Sequence, residues 1–300
     1  MGLRTVVSVT PPSERFTTPW HAVFVGGDIS PTSECVMRTH LAILTLVTMI
    51  GVGDHAKAEI LSPTESVAGL TQNEWAEAWW NWTASYPADI NPVVDATGAF
   101  SFLGDQGQVF FLAGHFGGAG PVTRTVTVRD DQHLFFPLAN GVTTVLDSSY
   151  GPSYDQMIQD VTEFTGDGSG FYAELDGMSL AGSSDLNDWL QISPDLFTLN
   201  FPPGGIFTDA DSNGPIDSVQ RGWWLMLTPL EVGTYTLRFG GTNTPTGIYA
   251  GLPSNVQDVT YLLTVVPFSS VPEPSTLALL SSVLGLAAVV ALQRRKPMAV

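Results

Sequence analysis

The sequence predicts a mainly β domain, an antiparallel β-sandwich or jelly roll with a tryptophan-rich helix at its N-terminal end. Three observations predict it. Many short stretches alternate apolar and polar residues, as strands with one buried face do. Turns rich in glycine, proline and aspartate separate these stretches. One tryptophan-rich segment with a helix-capping motif precedes all of these stretches. We place the whole domain at residues 59–268.

The helix has a clear start and a clear stop. Thr71 and Glu74 form a capping box, in which the threonine hydroxyl and the glutamate carboxylate each accept a first-turn N–H. Pro87 cannot continue a helix, so the helix is expected to end near Ser85.

Four tryptophans lie on this helix. Trp75, Trp79 and Trp82 follow the i, i+4, i+7 spacing and share a face, which favours packing against a sheet. Trp80 lies about a quarter-turn away. It is therefore the tryptophan expected to remain for a ligand such as a sugar ring.

Strands and one weak helix follow. Residues 107–114 form a continuous apolar run, typical of a strand buried on both faces, and 134–136 form a short strand before Pro137. Residues 154–164 are weakly helical. The remaining predicted strands are 122–129, 171–175, 197–201, 223–227, 235–239 and 259–265.

Arg124 is the most informative single residue. It shares the inward face of its strand with three valines, and a buried charge must be paired or must line a pocket. A structural ion pair and a ligand-binding arginine are both consistent with this position. The candidate carboxylate partners are Asp95, Asp147 and Asp176.

Charge and cysteine content exclude several functions. Of the 29 acidic residues, 24 fall in 59–272, against four arginines and no lysine, which gives a net charge of about −20. Such a surface repels nucleic acid and anionic lipid and attracts divalent cations. The only cysteine, Cys35, precedes the domain, which excludes disulfides, thiol catalysis and cysteine-ligated zinc within it.

Residues 209–220 resemble a calcium loop. Hard oxygen donors recur at alternate positions, and Gly214 permits the sharp turn. The last position holds Gln220 instead of a bidentate glutamate, and no clear helices flank the loop. A structural Ca²⁺ site and a plain surface turn are the alternatives. The candidate ligands are Asp209, Asp211, Asn213, Pro215, Asp217 and Gln220.

The front of the chain carries an export signal. Met37 and Arg38 begin a short basic stretch, residues 41–52 are apolar, and Ala56-Lys57-Ala58 forms a cleavage site, so 37–58 is predicted to be a signal peptide. Residues 1–36 have no pattern. We interpret them as a mis-assigned extension from an upstream start.

The end of the chain, 269–300, has three parts. A Pro-Glu-Pro turn comes first, and an uncharged run over 275–292 is long enough to span a bilayer as a helix. A basic cluster follows and predicts a cytoplasmic tail. The residues of the turn and the cluster are Pro272, Glu273, Pro274, Arg294, Arg295 and Lys296.

These parts, in this order, resemble the PEP-CTERM sorting signal of diderm bacteria. The resemblance implies transient anchoring in the inner membrane by the 275–292 helix and cleavage near Pro-Glu-Pro by an exosortase-type transpeptidase. It also implies delivery to the cell surface or extracellular matrix. The alternative is a plain single-span membrane anchor.

Residues 75–265 also resemble a family of bacterial secreted proteins of unassigned function. The resemblance implies one domain and brings no chemistry with it. It rests on the tryptophan-rich helix and on residues 109–114, 134–137, 176–177, 193–194, 233–241 and 258–265.

Three functions remain open. The first is a surface or matrix protein associated with exopolysaccharide, without catalysis. The second is a carbohydrate-binding module in which Trp80 or Trp189 stacks on sugar rings. The third is a secreted hydrolase that uses a pair of carboxylates, whose separation in space the sequence does not reveal.

Overall fold

The computed structural model describes residues 58–116, 120–181, 184–206 and 214–268. These residues form two five-stranded sheets and two α-helices. The first sheet contains β1 (Val109–Phe111), β3 (His133–Thr144), β6 (Leu190–Ile192), β7 (Phe197–Phe201) and β8 (Gly214–Leu227). The second contains β2 (Val122–Arg129), β4 (Asp167–Leu175), β5 (Met178–Ser179), β9 (Gly233–Thr244) and β10 (Asn255–Val266). The mainly β prediction is confirmed.

The sheets are mixed, which corrects the antiparallel expectation. The first follows the order β1-β3-β8-β6, with β7 also paired to β8, and the second follows β2-β10-β9-β4-β5. Most pairs are antiparallel, but β1 pairs with β3 and β2 with β10 in parallel. The β2 and β10 strands are far apart in the chain, so no hairpin turn between them could reveal the pairing.

The two sheets share a hydrophobic core. The rings of Phe136 in β3 and Phe239 in β9 lie 4.3 Å apart between their centroids, across the space between the sheets. Along β2, buried and exposed residues alternate as expected, with Val122, Val126 and Val128 inside.

Helix α1 (Gln72–Ala84) covers the other face of the first sheet, and its Thr71–Glu74 capping box is present. Trp79 packs edge-on against Trp224 of β8, with ring centroids 5.2 Å apart, and Trp75 packs similarly on Phe111. Because the first sheet is buried on both faces, its central strands read as continuous apolar runs. The core role of three tryptophans is confirmed.

The weak helical pattern over 154–164 is confirmed as helix α2 (Tyr154–Thr165), which packs on β3 and β8. The predicted short strand 134–136 is wrong in length. Strand β3 continues past Pro137 because its register against β8 shifts between Pro137 and Ala139, an irregularity that accommodates the missing N–H donor.

Several predicted segments lie outside the described residues, namely the extension 1–36, most of the signal peptide 37–58 and the sorting signal 269–300 with its 275–292 helix. In the part of the chain that the structure describes, no helix is long and apolar enough to cross a membrane.

A polar pocket as the candidate functional site

A pocket of about 410 Å³ lies beside β1 and β3. Its volume falls in the range of small-ligand sites, roughly 300–1,000 Å³. The segment before α1, the residue before β1, the β2–β3 turn and the first residue of β3 meet there. The lining residues are Leu61, Glu65, Ser66, Val67, Ala68, Gln108, Asp131 and His133.

The wall made by the segment before α1 is firmly held. Val67 and Leu70 exchange main-chain hydrogen bonds of 2.9 and 3.0 Å, and Trp75 Nε1 donates to the Val67 carbonyl at 3.0 Å. Ala68 has a φ of 53°, in the left-handed region that non-glycine residues rarely adopt. Such conformations cost about 1–3 kcal/mol and cluster at functional sites.

His133 supplies the imidazole of the pocket. Its main-chain N–H donates to the Gln108 carbonyl at 3.0 Å, which fixes the start of β3 beside β1. Within the described structure, its buried Nδ1 has no hydrogen-bond partner. Burial lowers the pKa of His133, so at neutral pH the ring is uncharged and offers one donor and one acceptor.

Two carboxylates reach the same pocket, and each is anchored through one oxygen. Glu65 Oε2 accepts from the Ser62 N–H at 2.6 Å, and Asp131 Oδ1 pairs with Arg129 Nε at 3.0 Å. In the described ranges, no group of three or more histidine, cysteine or acidic residues is placed to hold a metal ion. Carboxylate acceptors beside amide and hydroxyl groups suit a ligand rich in hydroxyls.

The sequence did not point to this pocket. Glu65 lies in a loop among many acidic residues, and His133 is a lone histidine at a strand start. The pocket forms because the parallel β1–β3 pair sets Val109 opposite His133, and local patterns do not reveal that pairing.

Arg124 faces inward as predicted, with 1% of its surface exposed, but the predicted ion pair is wrong. Its Nε donates to the main-chain oxygen of Asp95 at 2.8 Å, and its Nη1 to those of Ala113 and Gly114 at 2.7 and 3.0 Å. Nη1 also contacts the Tyr261 hydroxyl at 3.2 Å.

The three candidate carboxylates are engaged elsewhere. Each carboxylate accepts main-chain hydrogen bonds near its own segment or strand. Asp95 accepts from the N–H groups of Thr97 and Phe100, Asp147 from that of Thr144, and Asp176 from that of Thr236. Main-chain oxygens therefore accept from Nε and Nη1 of Arg124 where carboxylates were expected. With so little of its surface exposed, Arg124 lies in the core, and its role as a ligand-binding residue stays a prediction.

Of the two tryptophans singled out for sugar stacking, Trp80 is buried and Trp189 is half-buried. Trp80 is 6% exposed and packs edge-on against Trp79, with ring centroids 5.3 Å apart, and its role in ligand binding stays a prediction. Trp189 is half-buried, and its Nε1 donates to the Leu61 carbonyl at 2.9 Å. It thus supports the wall of the pocket.

The predicted calcium ligands divide into two groups. Asp209, Asp211 and Asn213 lie outside the described residues, so this part stays a prediction. Pro215 and Asp217 are exposed on β8, which begins at Gly214.

Gln220, also on β8, is buried, and its side chain is engaged. It donates to Asn73 at 2.8 Å and accepts from Trp224 Nε1 at 3.1 Å. Both polar atoms of its side-chain amide are therefore engaged within the protein, and its assignment as the last calcium ligand stays a prediction.

The described chain ends at Phe268, just before the predicted processing residues Pro272, Glu273 and Pro274. Its N–H donates to Asp130 Oδ1 at 2.7 Å, and its ring lies under the Arg129 guanidinium, 5.2 Å from the ring centroid. The processing residues and the basic cluster Arg294, Arg295 and Lys296 lie outside the described residues.

Residues 270–296 match the PEP-CTERM protein-sorting motif. The motif identifies an exported protein processed by an exosortase, a transpeptidase, and supports a surface or extracellular location. No curated protein and no solved structure matches the chain. The resemblance of residues 75–265 to a secreted family therefore stays an expectation.

Proposed function

We propose that the domain is released at the cell surface or into the extracellular matrix, where it associates with exopolysaccharide without catalysing a reaction. Transient anchoring through the apolar run 275–292 precedes release, and the two sheets act as a β-sandwich scaffold. The sorting motif at 270–296 supports the route. The polar pocket supports the binding role.

The pocket chemistry is the observation that carries the binding proposal. Glu65 and Asp131 offer acceptors, Gln108 and Ser66 offer donors, and neutral His133 offers either. Since the domain carries a net charge of about −20, acidic polymers are repelled. The ligand class that fits is therefore a neutral, hydroxyl-rich glycan.

A glycan array probed with the secreted, purified protein tests whether the pocket binds neutral glycans. We expect binding to neutral glycans and a loss of about fivefold or more in Glu65→Gln, the effect of one hydrogen bond worth about 1 kcal/mol. Glu174→Gln, on the second sheet, is the matched control and should bind normally. A wild-type protein that binds no glycan, or equal losses in both variants, contradicts the proposal.

A secreted hydrolase is the second candidate, favoured by the two carboxylates and the imidazole in one pocket. One protonated and one ionised carboxyl group are the minimum for glycosidic cleavage. If the protein releases reducing ends from a polysaccharide and Asp131→Asn abolishes this, the hydrolase replaces the non-catalytic role. Glycan binding without product release supports the first proposal.

We also propose that the segment containing Asp209, Asp211 and Asn213 binds Ca²⁺ and that this ion stabilises the domain. Asp217 is the exposed acid of β8 nearest to this segment in sequence. Oxygen donors and strong negative charge support the proposal. Isothermal titration should show calcium binding that is lost in Asp211→Asn and retained in Asp155→Asn. No heat of binding at millimolar calcium would contradict it.

A further inference from the structure

The folded domain ends very close to the sorting motif. Phe268 is tied to the β2–β3 turn by its hydrogen bond to Asp130 and by the contact of its ring with Arg129. The residue is 52% exposed, so these contacts hold Phe268 on the surface of the domain.

The chain length sets how far the motif can lie from this point. Pro272 is four residues beyond Phe268, and an extended chain spans at most about 3.6 Å per residue. The Cα atom of Pro272 therefore lies within about 14 Å of that of Phe268. Any enzyme that closes on Pro272–Pro274 must approach the domain surface around Phe268.

We name this surface the exit face. It consists of Asp105, Gln106, Arg129, Asp130, Asp131 and Phe268.

Ion pairs hold the exit face in a fixed arrangement. Arg129 bonds Asp105 at 2.7 Å and Asp131 at 3.0 Å, and its Nη2 donates to the Gly107 carbonyl at 2.6 Å. Gln132, which is buried, donates to Asp105 at 2.8 Å. Three carboxylates and one guanidinium leave the face with a net negative charge.

We propose that the exit face is the contact surface between the domain and its membrane-bound transpeptidase. The motif alone specifies where the chain is cut, whereas the short connection also brings this face against the enzyme. Because the face is acidic, the matching surface on the enzyme is basic. The proposal depends on the sorting motif. The exit face shares Asp131 with the pocket, but the proposed contact does not require any ligand in the pocket.

A matched control site lies at the other end of the second sheet. Strand β10 has twelve residues, from Asn255 to Val266, so its two ends are about 36 Å apart at about 3.3 Å per residue. Leu252 precedes the strand at the far end and is 48% exposed. Gln106 is exposed on the exit face.

Photo-crosslinking in cells that contain the processing enzyme tests the contact. A photoreactive residue at Gln106 of the full chain should capture the transpeptidase, and one at Leu252 should not. Twelve Gly/Ser residues inserted after Phe268 should abolish the crosslink from Gln106 while cleavage continues. Equal capture from both positions, or cleavage of the unaltered chain with no capture from Gln106, overturns the proposal.

The rate of cleavage tests the charge complementarity. Asp130→Asn keeps an oxygen that accepts the Phe268 N–H but removes the charge, and it should slow processing about two- to fivefold, the effect of one exposed charge pair. Asp155→Asn, on α2, should leave the rate unchanged. A pulse-chase rate for Asp130→Asn equal to that of the wild type rejects the proposed contact.

Discussion

Arg124 shows how a buried charge can be held by main-chain oxygens. Its guanidinium joins the end of β1 to the inner face of β2 through the Ala113 and Gly114 carbonyls. Within the described residues, its Nη2 is buried without a hydrogen-bond partner. Because Nε and Nη1 donate to oxygens of two different segments, the site depends on the forked shape of arginine as well as on its charge.

The first prediction concerns this fork. Arg124→Lys should lower the free energy of unfolding by about 2–4 kcal/mol, because an ammonium cannot reach carbonyls on both sides and leaves buried oxygens unpaired. Arg238→Lys, at an exposed pair with Asp258, should cost less than about 1 kcal/mol. Urea unfolding of both variants measures these free energies, and an equal loss of stability in the two variants would contradict this explanation.

The second prediction concerns the two histidines of the domain. Burial lowers the pKa of His115 below 6.5, with the charge of Arg124 adding to the effect, and burial lowers the pKa of His133. Below pH 6.5 the unfolded chain thus takes up protons before the folded one does. The free energy of unfolding should therefore fall from about pH 7.5 to about pH 5.5.

The control for this pH dependence is the double variant His115→Gln/His133→Gln, in which the fall should be smaller. Burial raises the pKa of Glu77, and this raised pKa increases the free energy of unfolding as the pH falls in the acid part of the range. Because Glu77 is present in both the wild type and the double variant, its effect cancels in the comparison. A fall of the same size in the double variant would show that the histidines do not cause it.

What the sequence predicts at this scale is the side of a strand on which a residue lies. Alternation placed Arg124 inside, because side chains of a strand point to opposite faces in turn. The identity of its partners depends on which strand ends meet in space. Residues such as Asp95 and Ala113 contribute main-chain oxygens, and these carry no sequence signal.

The elements themselves were partly predictable. The capping box and the proline stop located α1, and alternation located β2, because both signals are local. The length of β3 and the start of β8 were not predicted. A bulge carries β3 past Pro137, and pairing with β7 extends β8 back to Gly214 through a segment that resembles a calcium loop.

The third prediction concerns β9, where Gly240 lies opposite Asp258 of β10. A Cβ atom at Gly240 would collide with the main-chain oxygen of Gln257 and crowd the Tyr172 hydroxyl, which donates to Asp258. Gly240→Ala should therefore cost about 1–3 kcal/mol or more. Thermal or urea unfolding gives the value.

Gly233, in the same strand, is the matched control. A Cβ atom there would meet nothing nearer than the Tyr235 ring at 3.5 Å, an ordinary contact. Gly233→Ala should leave the stability within about 0.5 kcal/mol of the wild type. If the two substitutions cost the same, close strand approach is not the reason for glycine at 240.

At the scale of the whole molecule, the destination was more predictable than the binding site. The sorting signal is contiguous in sequence, so its turn, apolar run and basic cluster are visible together. The pocket collects Glu65, Gln108 and the neighbouring pair Asp131 and His133 from three separate places in the chain, and only the folded strand order brings these places together. The acidic composition limits the partners without locating a site.

The central claim is that the domain is exported and separated from its C-terminal tail. Mass spectrometry of the surface and extracellular fractions, with and without the processing enzyme, tests it most directly. We predict a form that begins at Glu59 and lacks all residues beyond Pro274 when the enzyme is present. Full-length protein that retains residues 275–300, or protein confined to the cytosol, would contradict the account.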